Sequence, residues 1–439
     1  MGVYFGTDGI RGKINHGLTK EIAEKCGNAI AQIKPKARVI IGRDTRVSGD
    51  LVVLALSTGL ISGGASVDYV GICPTAGIAY LTKTLGYDYG IVISASHNPP
   101  EYNGIKIFNK DGIKLDDNAE SELESLFTSE LLKPNNELGQ YKDKFELIKV
   151  YEDFLVSCIK VSLKDMFIVV DGANGAAYSI GYKVFIKLGA KVKKINCKND
   201  GLNINNNCGA LHIENLQSAV KKYGANIGVA FDGDSDRVII VDEKGNEVDG
   251  DLILFLLANQ LQKEKKLKGN AIVGTRHTNI GIEQALKKNN ISLHRTDIGD
   301  KYVIAKLCEE DLSLGGEQSG HIILRDYLDT GDGILAGLKV VETMVKTNKK
   351  LSELVNVKLC PQVNINCVVK DKLKVINSEK LSNLIMQKEQ ELGLDSRIMV
   401  RVSGTEPKVR IMVEDKRDDN ARKVAEEIAK MVHFIDDKI

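Results

Sequence analysis

Asp232, Asp234 and Asp236 fall at alternate positions in the run Asp232-Gly233-Asp234-Ser235-Asp236-Arg237. Carboxylates spaced this way on irregular backbone, with Gly233 permitting the turn, can converge on one hard cation. An EF-hand loop opens similarly but needs Gly at its sixth position and Glu at its twelfth, where this chain has Arg237 and Glu243. The apolar runs on both sides also read as strands rather than helices. Three carboxylates leave an octahedral Mg²⁺, one per site, with open positions for water and a phosphate oxygen. The competing reading, a solvated acidic turn, leaves three like charges repelling with no cation between them.

A candidate nucleophile lies in residues 90–108, GIVISASHNPPEYNGIKIF. Ile91-Val92-Ile93 is a buried-strand run, Ser94-Ala95-Ser96-His97-Asn98 follows, and Pro99-Pro100 forbids helical continuation. Ser96 therefore sits at the carboxyl end of a strand, where open α/β sheets bind ligands. Lys106 is a candidate proton shuttle or charge partner. The same residues also suit an ordinary strand-to-turn exit.

Two further loops supply anion and hydroxyl chemistry. Arg401-Val402-Ser403-Gly404-Thr405 joins a guanidinium, two hydroxyls and a glycine that lets backbone amides curl around a phosphate, with Arg410 as a second fork. Glu317-Gln318-Ser319-Gly320-His321 presents donors and acceptors matched to a polyol such as a sugar. Gly-rich turns at residues 6–12 and 42–46 add Arg11, Arg43 and Arg46, for which Arg–Asp pairing inside the turn weighs equally for Arg43 and Arg46. There is no G-x-x-x-x-G-K-[ST] nucleotide loop. Together the four loops describe phosphoryl transfer on a sugar phosphate. A metal-assisted phosphatase and a silent sugar-phosphate sensor are the rivals.

The elements that position these loops follow from the rest of the chain. With 439 residues it splits into several domains. It is 43% hydrophobic and 27% charged with net charge +1, so no global field draws it to nucleic acid or an anionic membrane. No apolar run approaches the roughly 20 residues of a membrane span, and the start, MGVYFGTDGIRG, lacks a secretory core. Eight scattered cysteines without a C-x-x-C pair suit reduced thiols in a cytoplasmic protein.

Helix and strand signals alternate through residues 1–150, restart over 151–250 and again over 251–360, as βαβ units do. The spacing predicts strands near 39–41, 67–70, 89–93, 167–170, 192–195, 227–231, 238–241, 271–273 and 292–295. A linker is expected over 131–140. The tail, 361–439, reads as a small α+β domain with an antiparallel sheet. The expected fold is α/β: three similar domains of mixed or parallel sheet, a C-terminal α+β lid, and an active site in the central cleft.

At these residues the chain resembles the α-D-phosphohexomutase superfamily over essentially its whole length. ISASHNP at 93–99 is similar to its phosphoserine loop, DGDSDR at 232–237 to its metal loop, GEQSGH at 316–321 to its sugar loop and RVSGTEP at 401–407 to its phosphate loop. Gln318, YFGTDGIRG at 4–12 and RTDIGDKY at 295–302 resemble the glucosamine branch, while Pro100-Glu101-Tyr102 looks more like the phosphomannomutase/phosphoglucomutase branch. Ser235 stands where Gly is usual, Lys301 where Arg is common and Val402 where Pro is frequent.

The resemblance implies that glucosamine 6-phosphate and glucosamine 1-phosphate interconvert through phosphorylated Ser96 and a 1,6-bisphosphate, the bisphosphate also acting as activator. The other branch's sugars are the alternative. It also implies Ser96 as a fourth metal ligand, Arg11 and Arg237 as added positive charge, and Lys106 and His321 as acid/base groups. Glu317 and Ser319 would read sugar hydroxyls, and Arg401, Ser403, Gly404, Thr405 and Arg410 would hold the phosphate that is not reacting. The partner is a small sugar phosphate, with no nucleic acid or membrane; a homodimer is compatible.

Overall fold

The computed structural model describes residues 4–6, 9–128, 137–393, 396–403 and 407–438. Gly404 and Thr405, two of the expected phosphate-holding residues, lie outside them, as does most of the expected linker. The chain forms two compact units, residues 1–277 with 289–356, and residues 278–288 with 357–439.

The first unit holds three sheets. In the first, strands Arg38–Arg43, Ser66–Ile72 and Tyr89–Ile93 are parallel, as the helix–strand alternation predicts. Tyr89–Ile93 is buried on both faces: Ile91 and Ile93 pack with Val39 and Ile41, and Val92 packs with Ile40, Ile78 and Phe108 on the other side. Such doubly covered strands read as unbroken apolar runs, which is why Ile91-Val92-Ile93 is legible. Helix Lys20–Ile33, capped by the Thr19 hydroxyl accepting from Ile22 N–H, packs on helix Gly49–Ser62 over one face.

Three strands of that sheet carry little sequence signal. Tyr102–Asn109 returns antiparallel beside Tyr89–Ile93, Gly9–Lys13 pairs antiparallel with it, and Tyr141–Asp143 closes the far edge. Helix Ile148–Ser157 runs across residue 150 and stacks Phe154 on Tyr80, centroids 4.0 Å apart.

The second sheet, within residues 167–248, sets Phe167–Asp171 parallel to Lys191–Ile195 and Ile227–Phe231; Val238–Asp242 then returns antiparallel. The third, within 271–324, sets Ala271–Thr275 parallel to Ser292–Thr296 and Leu314–Gly316, with Ile322–Leu324 returning antiparallel. All eight cysteines are free thiols, six of them buried. Among the described residues no helix is long and apolar enough to cross a membrane.

In the second unit, strands Gln362–Val368, Lys408–Glu414 and Arg397–Val402 form the antiparallel sheet expected of the tail. Helix Asp418–Asp436 lays Val424, Ile428 and Val432 against Val363, Ile411 and Val413. Helix Ile280–Lys288 belongs with this unit rather than with the stretch that surrounds it in sequence. Its first amide donates to Glu414 Oε1 at 2.8 Å, and Asn279 Nδ2 donates to the Cys360 carbonyl at 2.9 Å.

Candidate active site

Three of the expected functional loops occupy one kind of place: each joins a strand to its antiparallel return. Residues 94–101 join Tyr89–Ile93 to Tyr102–Asn109, 232–237 join Ile227–Phe231 to Val238–Asp242, and 317–321 join Leu314–Gly316 to Ile322–Leu324. The flanks of the aspartate loop are strands, as the rejection of an EF-hand requires.

The first two loops meet. The Ser96 hydroxyl donates to Asp232 Oδ2 at 2.6 Å. Ser96 is 1% exposed, and its φ of +49° lies in the left-handed region that serine rarely adopts. Non-glycine residues held there cluster at functional sites. Asp232, Asp234 and Asp236 are all buried, with one carboxylate oxygen of each within 4.8 Å of the others. Burial, reinforced by the charges of Asp236 and Asp234, pushes Asp232 up to about 8. Asp234 Oδ1 and Asp236 Oδ1 are buried without a hydrogen-bond partner. Orphaned anionic oxygens of this kind are costly unless a cation takes them. The set fits a divalent metal.

Lys106 explains why the strand Tyr102–Asn109 matters. Ile105 and Ile107 face the core, whereas the Lys106 ammonium, 1% exposed, reaches Asp234 Oδ2 at 2.8 Å and Asp236 Oδ2 at 3.1 Å. Burial pushes Asp236 up, but the Lys106 ammonium and His321 outweigh it and hold the carboxyl well below the usual range. His321 has Nδ1 3.8 Å from Asp236 Oδ2 and Nε2 3.8 Å from Asp300 Oδ2. Burial lowers its basicity, but those carboxylates raise it above that of an ordinary histidine.

Arg237 donates through Nη1 to His97 Nδ1 at 3.2 Å, and Arg11 Nη1 donates to Asn98 Oδ1 at 3.1 Å. Burial, then Arg237 and Arg11, push His97 down to about 4, so its ring stays a neutral acceptor. The sugar loop joins through backbone: Arg237 pairs with His321, and Val238 N–H donates to the Gly320 carbonyl at 3.0 Å. Gly320 has φ +91°, and a Cβ there would stand 2.2 Å from the Val238 carbonyl oxygen. Glu317 is nearly buried, with Oε1 accepting from Gly299 N–H at 3.0 Å; Ser319 is exposed.

The structure thus gathers Ser96, Lys106, the three aspartates, Arg237, His321 and Arg11 around one point. In the second unit, Arg401 and Arg410 stand opposite each other on neighbouring strands. Arg410 Nη2 donates to Ser403 Oγ at 3.4 Å. Burial and the Arg410 charge push the Arg401 guanidinium below its usual value. Two cations placed side by side suit an anion between them.

Several supporting residues carried no motif signal. Thr75 donates its hydroxyl to Asp234 Oδ2 at 2.6 Å and its amide to the Asp234 carbonyl at 3.0 Å. Of the two arginines with even odds, Arg43 pairs outside its turn, with Asp50 at 2.8 Å and Tyr69 Oη at 2.8 Å, whereas Arg46 pairs with Asp44 inside the turn at 2.9 Å and also binds the Ser96 loop. Only the density of charge in Gly42-Arg43-Asp44-Thr45-Arg46 hinted at this.

Strand-end loops that bring a serine hydroxyl, a metal-ready carboxylate trio and a buried lysine together define an α/β enzyme of phosphoryl transfer. Sequences described as phosphoglucomutase/phosphomannomutase α/β/α domains I, II and III match residues 2–133, 149–245 and 249–359, and the C-terminal domain matches 365–431. The chain belongs to this family, the phosphohexomutases. It is 44% identical over 443 aligned positions to phosphoglucosamine mutase of Staphylococcus aureus, covering 98% of each. A phosphoglucomutase/phosphomannomutase family protein of Burkholderia thailandensis shares the fold with TM-score 0.85 at 24% identity, covering 98% of this chain and 97% of that one. N-acetylphosphoglucosamine mutase of Aspergillus fumigatus, solved with GlcNAc-6P and magnesium, does so with TM-score 0.68 at 18%, covering 99% and 96%.

Proposed function

We propose that the chain interconverts glucosamine 6-phosphate and glucosamine 1-phosphate, with Ser96 alternately carrying and surrendering a phosphoryl group. The chemistry rests on one observation, the Ser96 hydroxyl 2.6 Å from a carboxylate of a buried aspartate trio with two orphaned oxygens. The choice of sugar rests on the 44% identity to phosphoglucosamine mutase over 98% of both chains.

In the first half-reaction a sugar hydroxyl attacks the phosphorus on Ser96. The bond from phosphorus to Ser96 Oγ breaks as the bond to the sugar oxygen forms, leaving a 1,6-bisphosphate. The proton lost by the sugar hydroxyl is returned to the departing serine oxygen, and Lys106 and His321 are assigned that traffic. The bisphosphate turns end over end and Ser96 takes back the other phosphate, so trace bisphosphate acts as activator. Mg²⁺, held by Asp232, Asp234, Asp236 and an oxygen at Ser96, would offset the charge of the phosphoryl group in flight. Arg11 and Arg237 add positive charge beside it, and the neutral His97 ring orients Arg237. Glu317 and Ser319 read sugar hydroxyls, while Arg401, Ser403 and Arg410 grip the phosphate that is not reacting.

The test is incubation with glucosamine 6-phosphate, Mg²⁺ and a trace of glucosamine 1,6-bisphosphate, followed by ³¹P NMR. Glucosamine 1-phosphate should accumulate without inorganic phosphate. Stoichiometric phosphate release makes the protein a phosphatase, and no turnover makes it a sensor. Faster turnover of glucose or mannose phosphates would move it to the other branch.

A further inference from the structure

Ser96 is the centre of the proposed chemistry, yet its φ of +49° is one that an L side chain rarely adopts unaided. Something must hold it there, and the bonds on its loop show what does. The carbonyl of Ser96 accepts from Arg46 Nη2 at 3.0 Å and from Asn205 Nδ2 at 2.8 Å. The carbonyl of Asn98 accepts from the same two nitrogens, at 2.8 and 3.0 Å. Arg46 also donates to the Pro99 carbonyl. It is fully buried and salt-bridged to Asp44, which accepts from the Ser94 hydroxyl at 2.5 Å; that hydroxyl in turn accepts from Ser96 N–H at 2.9 Å.

Arg46 braces the loop from within its own sheet. Asn205 comes from elsewhere, the irregular stretch between strand Lys191–Ile195 and helix Glu214–Tyr223. It is anchored there by its amide, which donates to the Ala173 carbonyl at 2.9 Å. The aspartate loop closes over the same point: a Cβ on Gly233 would lie 2.4 Å from the Ser96 carbonyl oxygen and 2.9 Å from Asn205 Nδ2. Asn205 therefore ties the serine loop to the part of the chain that carries the metal carboxylates.

We infer that Asn205 is a positioning residue, whose two donated hydrogen bonds keep Ser96 Oγ in line with the aspartate trio through both half-reactions. Its side-chain amide is spent on the Ser96 and Asn98 carbonyls, so it acts through the serine loop. The inference rests on the mutase reading, and the test separates the two. Asn205→Asp is nearly isosteric, tolerates a φ of +59° as Asn does, and loses both donors. Asn205→Ser removes the reach without adding charge.

In both variants the single-turnover rate of phosphoryl transfer from Ser96 to sugar phosphate should fall about tenfold or more, with KM within about twofold, because misplacement of the reacting atom acts on the chemical step. If Asn205→Asp does not fold, Asn205→Ser is read alone. Wild-type transfer rates per folded molecule, or a rise in KM with the rate intact, overturn the inference. If the wild-type protein neither isomerises sugar phosphates nor carries phosphate on Ser96, the mutase reading fails instead. The positioning role is then read from a crystal structure of Asn205→Asp. Ser96 leaving the left-handed region supports it, and an unchanged φ overturns it.

Discussion

Two serines among the described residues hold backbone angles that favour glycine, and they do so for different ends. Ser96 is held at φ +49° by bonds to its carbonyl and amide, and its hydroxyl has a partner in Asp232. If Ser96 carries the phosphoryl group as proposed, Ser96→Ala should lower kcat by at least about 10⁴-fold, with circular dichroism and the thermal midpoint unchanged; an active Ser96→Ala enzyme would refute the nucleophile. Ser235, at φ +64°, is fully buried and its hydroxyl has no hydrogen-bond partner. Glycine relieves both the left-handed strain and the orphaned hydroxyl. Ser235→Gly should therefore stabilise the protein by about 1 kcal/mol, read as a higher urea midpoint. A lower midpoint would mean that the hydroxyl has a task in the metal loop.

At the scale of elements, the device that recurs is a strand that runs out of a sheet and returns antiparallel beside itself. The serine, aspartate and sugar loops all sit at such reversals, so each side chain is anchored by hydrogen-bonded ladder on both sides rather than by one strand end. Placing a site on rigid elements in this way limits its wander. The sugar loop depends on close backbone approach at Gly320. Gly320→Ala would drive a Cβ to 2.2 Å from the Val238 carbonyl and impose the strained φ. A loss of at least about 2 kcal/mol is expected, measured by denaturant unfolding. Because Arg237 and His321 are paired through this contact, kcat/KM should fall with it. A fully stable, fully active Gly320→Ala protein would show that the sugar loop is free to shift.

The balance of buried charge across the molecule sets its response to pH. Burial pushes Asp171 and Asp332 each up to about 6, despite backbone amides donating to both carboxylates and a hydrogen bond from Tyr151 to Asp332. Their folded values lie above the ordinary 3.8, so the folded chain binds protons more readily than the unfolded one. This contribution to stability is full below about pH 4 and is lost as pH rises through about 6, at about 1.4 kcal/mol per unit of displacement. Asp332→Asn keeps a capping oxygen for Leu335 N–H while removing the titration. Its unfolding free energy should therefore vary less between pH 4 and 6 than that of the wild-type protein. An unchanged slope would place the titrating carboxyl elsewhere.

The sequence by itself determined the chemistry and the class of fold. Carboxylates at alternate positions, a serine at the end of an apolar strand and clustered arginines are local patterns, and their meaning depends only on neighbours a few residues away. The doubly buried strands are legible for the same reason. What tertiary structure decided is where unlike faces meet. Tyr102–Asn109 mixes Asn, Gly and Lys with its isoleucines and shows no clean alternation, because its polar side chain Lys106 is neutralised by aspartates some 130 residues away. Thr75, Arg46 and Asn205 acquire their roles only when loops distant in sequence close on Ser96 and Asp234. Helix Ile280–Lys288 joins the second unit through Glu414, a partner that no local pattern names. Short-range periodicity reports what a segment buries; it carries no record of which other segment provides the matching charge.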